Sequence, residues 1–284
     1  VLSGFGAPAR ITDDPDALYA RAARDTVAEL ESGKNGSEAV EILARHLDNR
    51  LSVLENLVAR MLPRRDQWMR HVARADDPQR LRRMLESALE AVISGALSDL
   101  HQRFPEAAAA DLVALARFAA SNLEAAGSES PIIYARALGG LPGTDPSDLA
   151  VWQGLAELLL TQSGEWRKSA NKNLGFPAPG SAGTNPERKT QLERQKARFK
   201  ALLNNFSGDV HLAEALDMVR RLPAPAYSDS QWAVLKALFE VLWSSVKHLQ
   251  AVFAVTGEVD FAETAIRAQI ALGKPEEPTD LALS

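Results

Sequence analysis

Apolar residues recur three and four positions apart through nearly every stretch of this chain, and proline or glycine marks where each stretch stops. The longest example is Trp232, Leu235, Leu238, Phe239, Leu242, Val246, Leu249 and Phe253, a stripe that fits one face of a helix and no strand. Alternating β-branched runs are scarce and aromatic residues are only 6% of the 284 positions. The pattern predicts an all-α fold: an irregular multi-helix bundle of roughly nine to twelve helices with one long Gly/Pro-rich loop.

The punctuation gives expected boundaries. Asp14 is placed to cap a first helix with Pro15 at its first position, running to about Glu31 and closed by Ser32-Gly33. Ser37 is placed to cap a second. The stripe Leu51 to Leu62 is expected to halt at Pro63. A short basic helix comes next over Arg64–Ala75, with Trp68, Met69 and Val72 inward. Pro78 opens a long helix to about Phe104, Pro105 another to about Ala126, and Pro146 an amphipathic one to Thr161. Ser163–Pro186 carries Gly164, Gly175, Gly180, Gly183, Pro177, Pro179 and Pro186, too many breakers for a regular element. Helices resume over Glu187–Phe206, Val210–Leu222 and Ser230–Val255; Gly257 ends the last, Asp260 caps a final helix to Leu272, and Lys274–Thr279 is a Pro-rich exit. Three parts are expected: 1–150, 151–257 containing the basic loop 163–200, and 258–284.

Several function classes are disfavoured. Cysteine is absent, which removes disulfides, thiolate metal sites and cysteine nucleophiles, and fits a reducing compartment. The five histidines never pair at i, i+4, so no metal site and no catalytic residue is assigned. No run of about eighteen apolar residues occurs, so no membrane span is expected. No secretory leader is read at the start, and an opening Val1-Leu2 in place of Met points to processing or excision from a longer chain. Gly180-Ser181-Ala182-Gly183-Thr184 has the look of a phosphate loop. It lacks the Lys and hydroxyl after a second glycine and has no apolar strand before it, so it is read as a flexible loop. The acid pairs Asp13/Asp14, Asp76/Asp77 and Glu276/Glu277 adjoin prolines or helix starts, where capping accounts for them. Trp68, Trp152, Trp232 and Trp243 lie on apolar stripes and are read as core.

Charge is the informative feature. Ser163–Lys200 holds nine bases against three acids, and Pro63–Met84 seven arginines against three acids, local balances of +6 and +4. The overall charge of −5 leaves −15 for everything else. That polarity suits a positive strip facing a phosphate backbone on an otherwise soluble surface. Trp166 and Phe176 interleave with the first cluster and are candidates to stack on a base or sugar. The competing explanation is a solvated helix face, in which Glu193 pairs with Arg188, Lys189 or Lys196. The DNA-contact candidates are Arg64, Arg65, Trp166, Arg167, Lys168, Lys172, Phe176, Arg188 and Lys189.

The run Leu155-Ala156-Glu157-Leu158-Leu159-Leu160-Thr161, then Gly164-Glu165-Trp166-Arg167-Lys168, then Asn173-Leu174-Gly175-Phe176-Pro177 resembles the UvrD/Rep-type ATP-dependent DNA helicases, most of all their AddA- and RecB-like members. Gly257-Glu258-Val259-Asp260-Phe261-Ala262-Glu263 with Pro278-Thr279-Asp280-Leu281-Ala282-Leu283 after it is similar to the segment preceding that family's acidic box. Gly4-Phe5-Gly6-Ala7-Pro8 is similar to the residues just after its threonine–histidine motif. The resemblance implies a fragment: the helical B subdomain of the first motor domain, with the return segment to the motor core at its end. It further implies that ATP and magnesium are bound by motifs outside this chain, and that the parent translocates 3′ to 5′ on DNA in repair or recombination. The implied setting is cytoplasmic and nucleoid-associated, with a nuclease domain or subunit as a partner. A rival reading is an α-helical interaction module that docks a partner subunit through Trp232, Phe239 and Trp243.

Overall fold

A computed structural model describes residues 10–29, 37–72, 77–274 and 277–278. Eleven α-helices lie among them: α1 Asp16–Val27, α2 Ser37–His46, α3 Leu51–Met61, α4 Arg65–Val72, α5 Pro78–Arg103, α6 Glu106–Ala125, α7 Leu149–Leu159, α8 Pro186–Phe206, α9 Val210–Arg220, α10 Asp229–Thr256 and α11 Phe261–Leu272. Strand structure is minimal. β1 (Arg10–Ile11) pairs in parallel with β2 (Glu258–Val259), and β3 (Gly273–Lys274) pairs antiparallel with β4 (Glu277–Pro278). The fold is an all-α multi-helix bundle, as the periodicity predicts.

The division into parts differs from the expected one. The chain separates into one unit of Val1–Arg83 with Tyr227–Ser284 and a second of Met84–Ala226. Both boundaries join segments that read as continuous, because helical period is a local property and says nothing of which distant stripe covers it.

In the first unit α10 is the spine. Ser228 accepts from the Gln231 amide at 3.2 Å while the Gln231 side chain accepts from the Ser228 amide at 2.9 Å, a reciprocal cap that starts the helix at Asp229, one residue before the expected Ser230. Gly257, at φ 69°, ends it in the left-handed region. Its stripe of Ala237, Val241, Val246, Leu249, Val252 and Phe253 buries against Leu18, Tyr19, Ala22 and Ala23 of α1, Val40 and Leu43 of α2, and Leu54 and Val58 of α3. Trp243, expected in the core, is 38% exposed.

Side-chain caps open some helices, and others, such as those after Pro15, Arg50, Pro105 and Asp148, start without one. Asp260 Oδ1 accepts from the Glu263 amide at 2.7 Å and so caps α11 as expected. Asp14 caps nothing. Helix α1 begins at Asp16 with Pro15 as its flanking residue, whose carbonyl accepts from Leu18 and Tyr19. Ser37 is the first residue of α2. The end at Ser32-Gly33, Ala73–Ala75 of the basic helix with the side chain of Val72, and the segments 4–8 and 279–283 lie outside the described residues.

The second unit has its own core. Trp152 of α7 is fully buried, its ring beside Phe104 at 6.0 Å and its indole N–H donating to Gly143 O at 2.9 Å. Gly154 lets α7 approach the 3₁₀ turn Pro131–Ala137; a Cβ there would sit 2.4 Å from Pro131 O. Gln153 donates to Leu222 O at 2.9 Å and so ties α7 to the end of α9. Helix α8 opens with Asn185 accepting from the Arg188 amide at 3.0 Å, and buries Leu192, Phe199, Leu202, Leu203 and Phe206.

Candidate nucleic-acid interface

The breaker-rich stretch after α7 holds no regular element beyond two 3₁₀ turns, Lys172–Leu174 and Pro179–Ala182. Its first loop is closed by backbone bonds from Thr161 N to Glu165 O at 2.8 Å and from Arg167 N to Leu159 O at 2.9 Å. Trp166 stacks on Phe206 at 5.2 Å and donates its indole N–H to Asp209 O at 3.1 Å. Both its face and its polar edge are therefore committed within the unit, and it is not the exposed stacking platform the sequence suggests. Arg167 turns to Glu157, donating to its carbonyl at 3.2 Å and its carboxylate at 3.1 Å, with 19% of the side chain exposed. Burial pulls the Arg167 guanidinium below its ordinary value, the Glu157 charge opposes that, and neighbouring Arg220 adds to it.

Gly175 fixes the middle of the stretch. It lies at φ 80°, its carbonyl accepts from Asn122 Nδ2 at 2.9 Å, and a Cβ on it would sit 2.2 Å from Ala119 O. Only glycine fits so close to α6. The neighbouring Phe176 is driven into the core, stacked on Phe199 at 4.8 Å and beside Phe118 at 5.6 Å. Its exposure is zero, which corrects the expectation that it meets a base. Gly183 (φ 59°) comes after a 3₁₀ turn, so the GSAGT run forms no strand-to-helix phosphate loop.

The remaining candidates behave differently. Lys168, Lys172, Arg188 and Lys189 are exposed, and none of them makes an ion pair within 4.0 Å among the described residues. Glu193 pairs with none of Arg188, Lys189 and Lys196, so the mutual neutralisation that a solvated helix face offers is not formed. Deeper along α8, Arg198 is held by Asp111.

The Pro63–Met84 arginines divide. Arg64 is exposed. Arg65 is a buried cation whose Nη1 and Nη2 each reach Asp260 at 2.6 Å, with Glu263 at 3.2 Å and the Phe253 ring 5.6 Å away. Tyr19 donates to the same carboxylate at 2.5 Å, and Arg267 reaches Glu263 at 2.8 Å. Arg65 is therefore a structural residue, which corrects its assignment as a DNA contact. Burial alone would raise the Asp260 carboxyl. The hydrogen bonds from Arg65, Tyr19 and the Glu263 amide, with the Arg65 charge, outweigh it and hold the group below its ordinary 3.8. Burial and then the Asp260 bond push the Tyr19 hydroxyl well above its ordinary 10. Arg82 is engaged too, donating to Asp229 at 3.0 Å beneath Trp232.

Packing also gathers residues that no local charge count finds. Arg117 of α6 and Arg136 of the Pro131–Ala137 turn line the same concavity as Arg188. Each stands alone among neutral neighbours in sequence, so only the fold brings the three together.

One constellation in the first unit has the composition of a hydrolytic triad. Ser244 Oγ and His248 Nε2 both lie 2.8 Å from Glu29 Oε1. A nucleophile needs the serine bonded to the histidine and the histidine to the acid; here both groups converge on one carboxylate oxygen. Among the described residues no group of three or more His, Cys, Asp and Glu is placed to hold a metal, and no helix is long and apolar enough to cross a membrane. No protein family, curated protein or solved structure matches the chain.

Proposed function

We propose that this chain is the DNA-gripping accessory subdomain of an ATP-dependent 3′–5′ helicase acting in repair or recombination on nucleoid DNA in the cytoplasm. It holds the sugar-phosphate backbone near the junction of duplex and single strand. ATP and magnesium belong to motor elements outside this chain, and the chain alone turns over no nucleotide. The observation that carries the reading is the run of exposed cations Lys168, Lys172, Arg188 and Lys189, none of them neutralised by an in-chain acid among the described residues. Cations so arranged release counterions from a phosphate backbone and bind it without regard to base sequence. Trp166, Arg167 and Phe176 act beneath this surface by fixing the loop that carries the lysines.

The test is a titration with forked DNA at low and moderate salt. Binding that weakens steeply with salt, and weakens further in Lys168→Gln/Lys172→Gln/Lys189→Gln, supports the reading. Indifference of the wild-type chain to DNA at low salt overturns it.

A second reading, an interaction module docking a nuclease subunit, is favoured by one feature. An apolar groove of about 550 Å³ lies between α2, α3 and α10 of the first unit, lined by Leu47, Leu57, Met61, Val234, Leu235 and Leu238. It departs from the expected stripe, since Trp232 is buried against Tyr227. Tight capture of a purified nuclease subunit, lost in Leu57→Asp, together with indifference to DNA, favours this alternative.

A further inference from the structure

Helix α6 turns Ala114, Arg117, Phe118 and Ser121 to one side, positions spaced by three and four. The first turns of α8 present Arg188, Gln191 and Leu192 with the same spacing, and the turn after α6 supplies Arg136. Together with Asn122 these residues line a concavity of about 480 Å³. Its floor is apolar and fixed: Leu192 is buried, and Phe118 rests on the fully buried Phe176. Its rim carries three guanidiniums and no carboxylate belongs to the lining. Arg136 is oriented by an ion pair with Glu124, whereas Arg117 and Arg188 are exposed and make no ion pair among the described residues.

The other polar groups are already engaged. Ser121 Oγ donates to Arg117 O at 2.9 Å, and the Asn122 amide donates to Gly175 O at 2.9 Å. The donors left for a ligand are the Arg117 and Arg188 guanidiniums, the Arg136 N–H groups not given to Glu124, and the Gln191 amide. Arg117 and Arg188 are the two like charges left unpaired at this hollow and repel unless an anion joins them, and the planar guanidinium fork matches the paired oxygens of an oxyanion such as phosphate better than a halide.

We infer that the Arg117–Arg136–Arg188 concavity is a seat for one phosphodiester of a nucleic-acid backbone, fixing the register in which the strand crosses this unit. The inference rests on the proposed function and adds a discrete site to what is otherwise a diffuse positive surface. Two of the three arginines are ones that no sequence cluster indicates.

The experiment measures binding of fluorescein-labelled dT20 to the full chain by anisotropy across a salt series. Arg117→Gln/Arg188→Gln is expected to lower affinity about ten-fold or more. Its log–log salt slope should be shallower by about 0.7, the value for one phosphate of a single strand. Arg194→Gln/Lys200→Gln removes the same charge from exposed positions of α8 outside the concavity and should cost less than about three-fold. Both variants are expected to melt with the wild type. Inorganic phosphate should compete more strongly than chloride at equal ionic strength, and a neutral methylphosphonate oligonucleotide should not bind.

Equal losses in the two double variants would overturn the seat while leaving a diffuse nucleic-acid surface in place. So would phosphate competing no better than chloride. If wild type fails to bind dT20 at low salt, the proposed function falls. The concavity is then judged by inorganic phosphate alone, read from the Arg117 and Arg188 side-chain Nε–H resonances: a saturable shift retains an oxyanion site for a free phosphate ligand, and no shift overturns the inference.

Discussion

Arg65 and Asp260, 195 positions apart in the chain, meet as a two-pronged ion pair in which both nitrogen–oxygen distances are 2.6 Å and both side chains are almost wholly buried. Removing one member strands the other's charge away from water. Arg65→Ala or Asp260→Ala is expected to cost about 3–5 kcal/mol, read as a shift in the urea midpoint. Arg65→Met with Asp260→Leu, which removes both charges and keeps bulk, should cost markedly less than the two single changes together.

The same pair sets a pH dependence. Asp260 is held below its ordinary 3.8, so the unfolded chain binds its proton first as pH falls. The stabilisation it brings is therefore fully present above the ordinary carboxylate range and drains away as pH drops below it. Tyr19 acts in the opposite direction: its raised hydroxyl keeps the proton that the unfolded chain loses above about pH 10, so stability declines on the alkaline side. Thermal melts from pH 2 to 11 check both limbs. Tyr19→Phe should flatten the alkaline one.

Gly175→Ala is expected to destabilise by at least about 2 kcal/mol, because φ 80° and a backbone oxygen 2.2 Å from the new Cβ act together. Phe176 should loosen with it. Hydrogen exchange at Leu174–Phe176 and at Asn122 reads that loosening directly.

Trp166 separates a core role from a base-stacking one. Its ring lies on Phe206 and its N–H on Asp209 O. Trp166→Phe should keep most of the packing and cost roughly 1 kcal/mol for the lost hydrogen bond, with oligonucleotide affinity unchanged. An affinity drop without a stability drop would place the ring on the nucleic acid instead.

Helix starts and stops were legible because their causes sit within a few residues. Pro78 and Gly257 act on the turn beside them, and the observed ends fall there, whereas the caps Asn185 and Asp209 emerge only with the structure. The fate of each charge was not legible in the same way. Arg64 and Arg65 are neighbours of identical type, one exposed and one buried, and what divides them is Asp260 at the far end of the chain. Phe176 reads as interleaved with lysines, yet Gly175 docks its backbone against Ala119 and turns the ring inward. Arg117 and Arg136 left no trace in any charge window, since each is solitary until α6 and α8 pack. Of the other candidates, Arg64, Lys168, Lys172, Arg188 and Lys189 are exposed.

The parallel pairing of Arg10–Ile11 with Glu258–Val259, and the reach of Arg65 to Asp260, give the first unit an order of assembly. During synthesis α1 to α4 leave the ribosome before α10 exists to complete the cover of their apolar stripes, while Met84–Ala226 is contiguous and its core needs no later segment. The early helices must wait, exposed, for α10 and the carboxylate beyond it. A nascent chain arrested after Ala226 should therefore protect its middle from protease and leave its beginning open to chaperones.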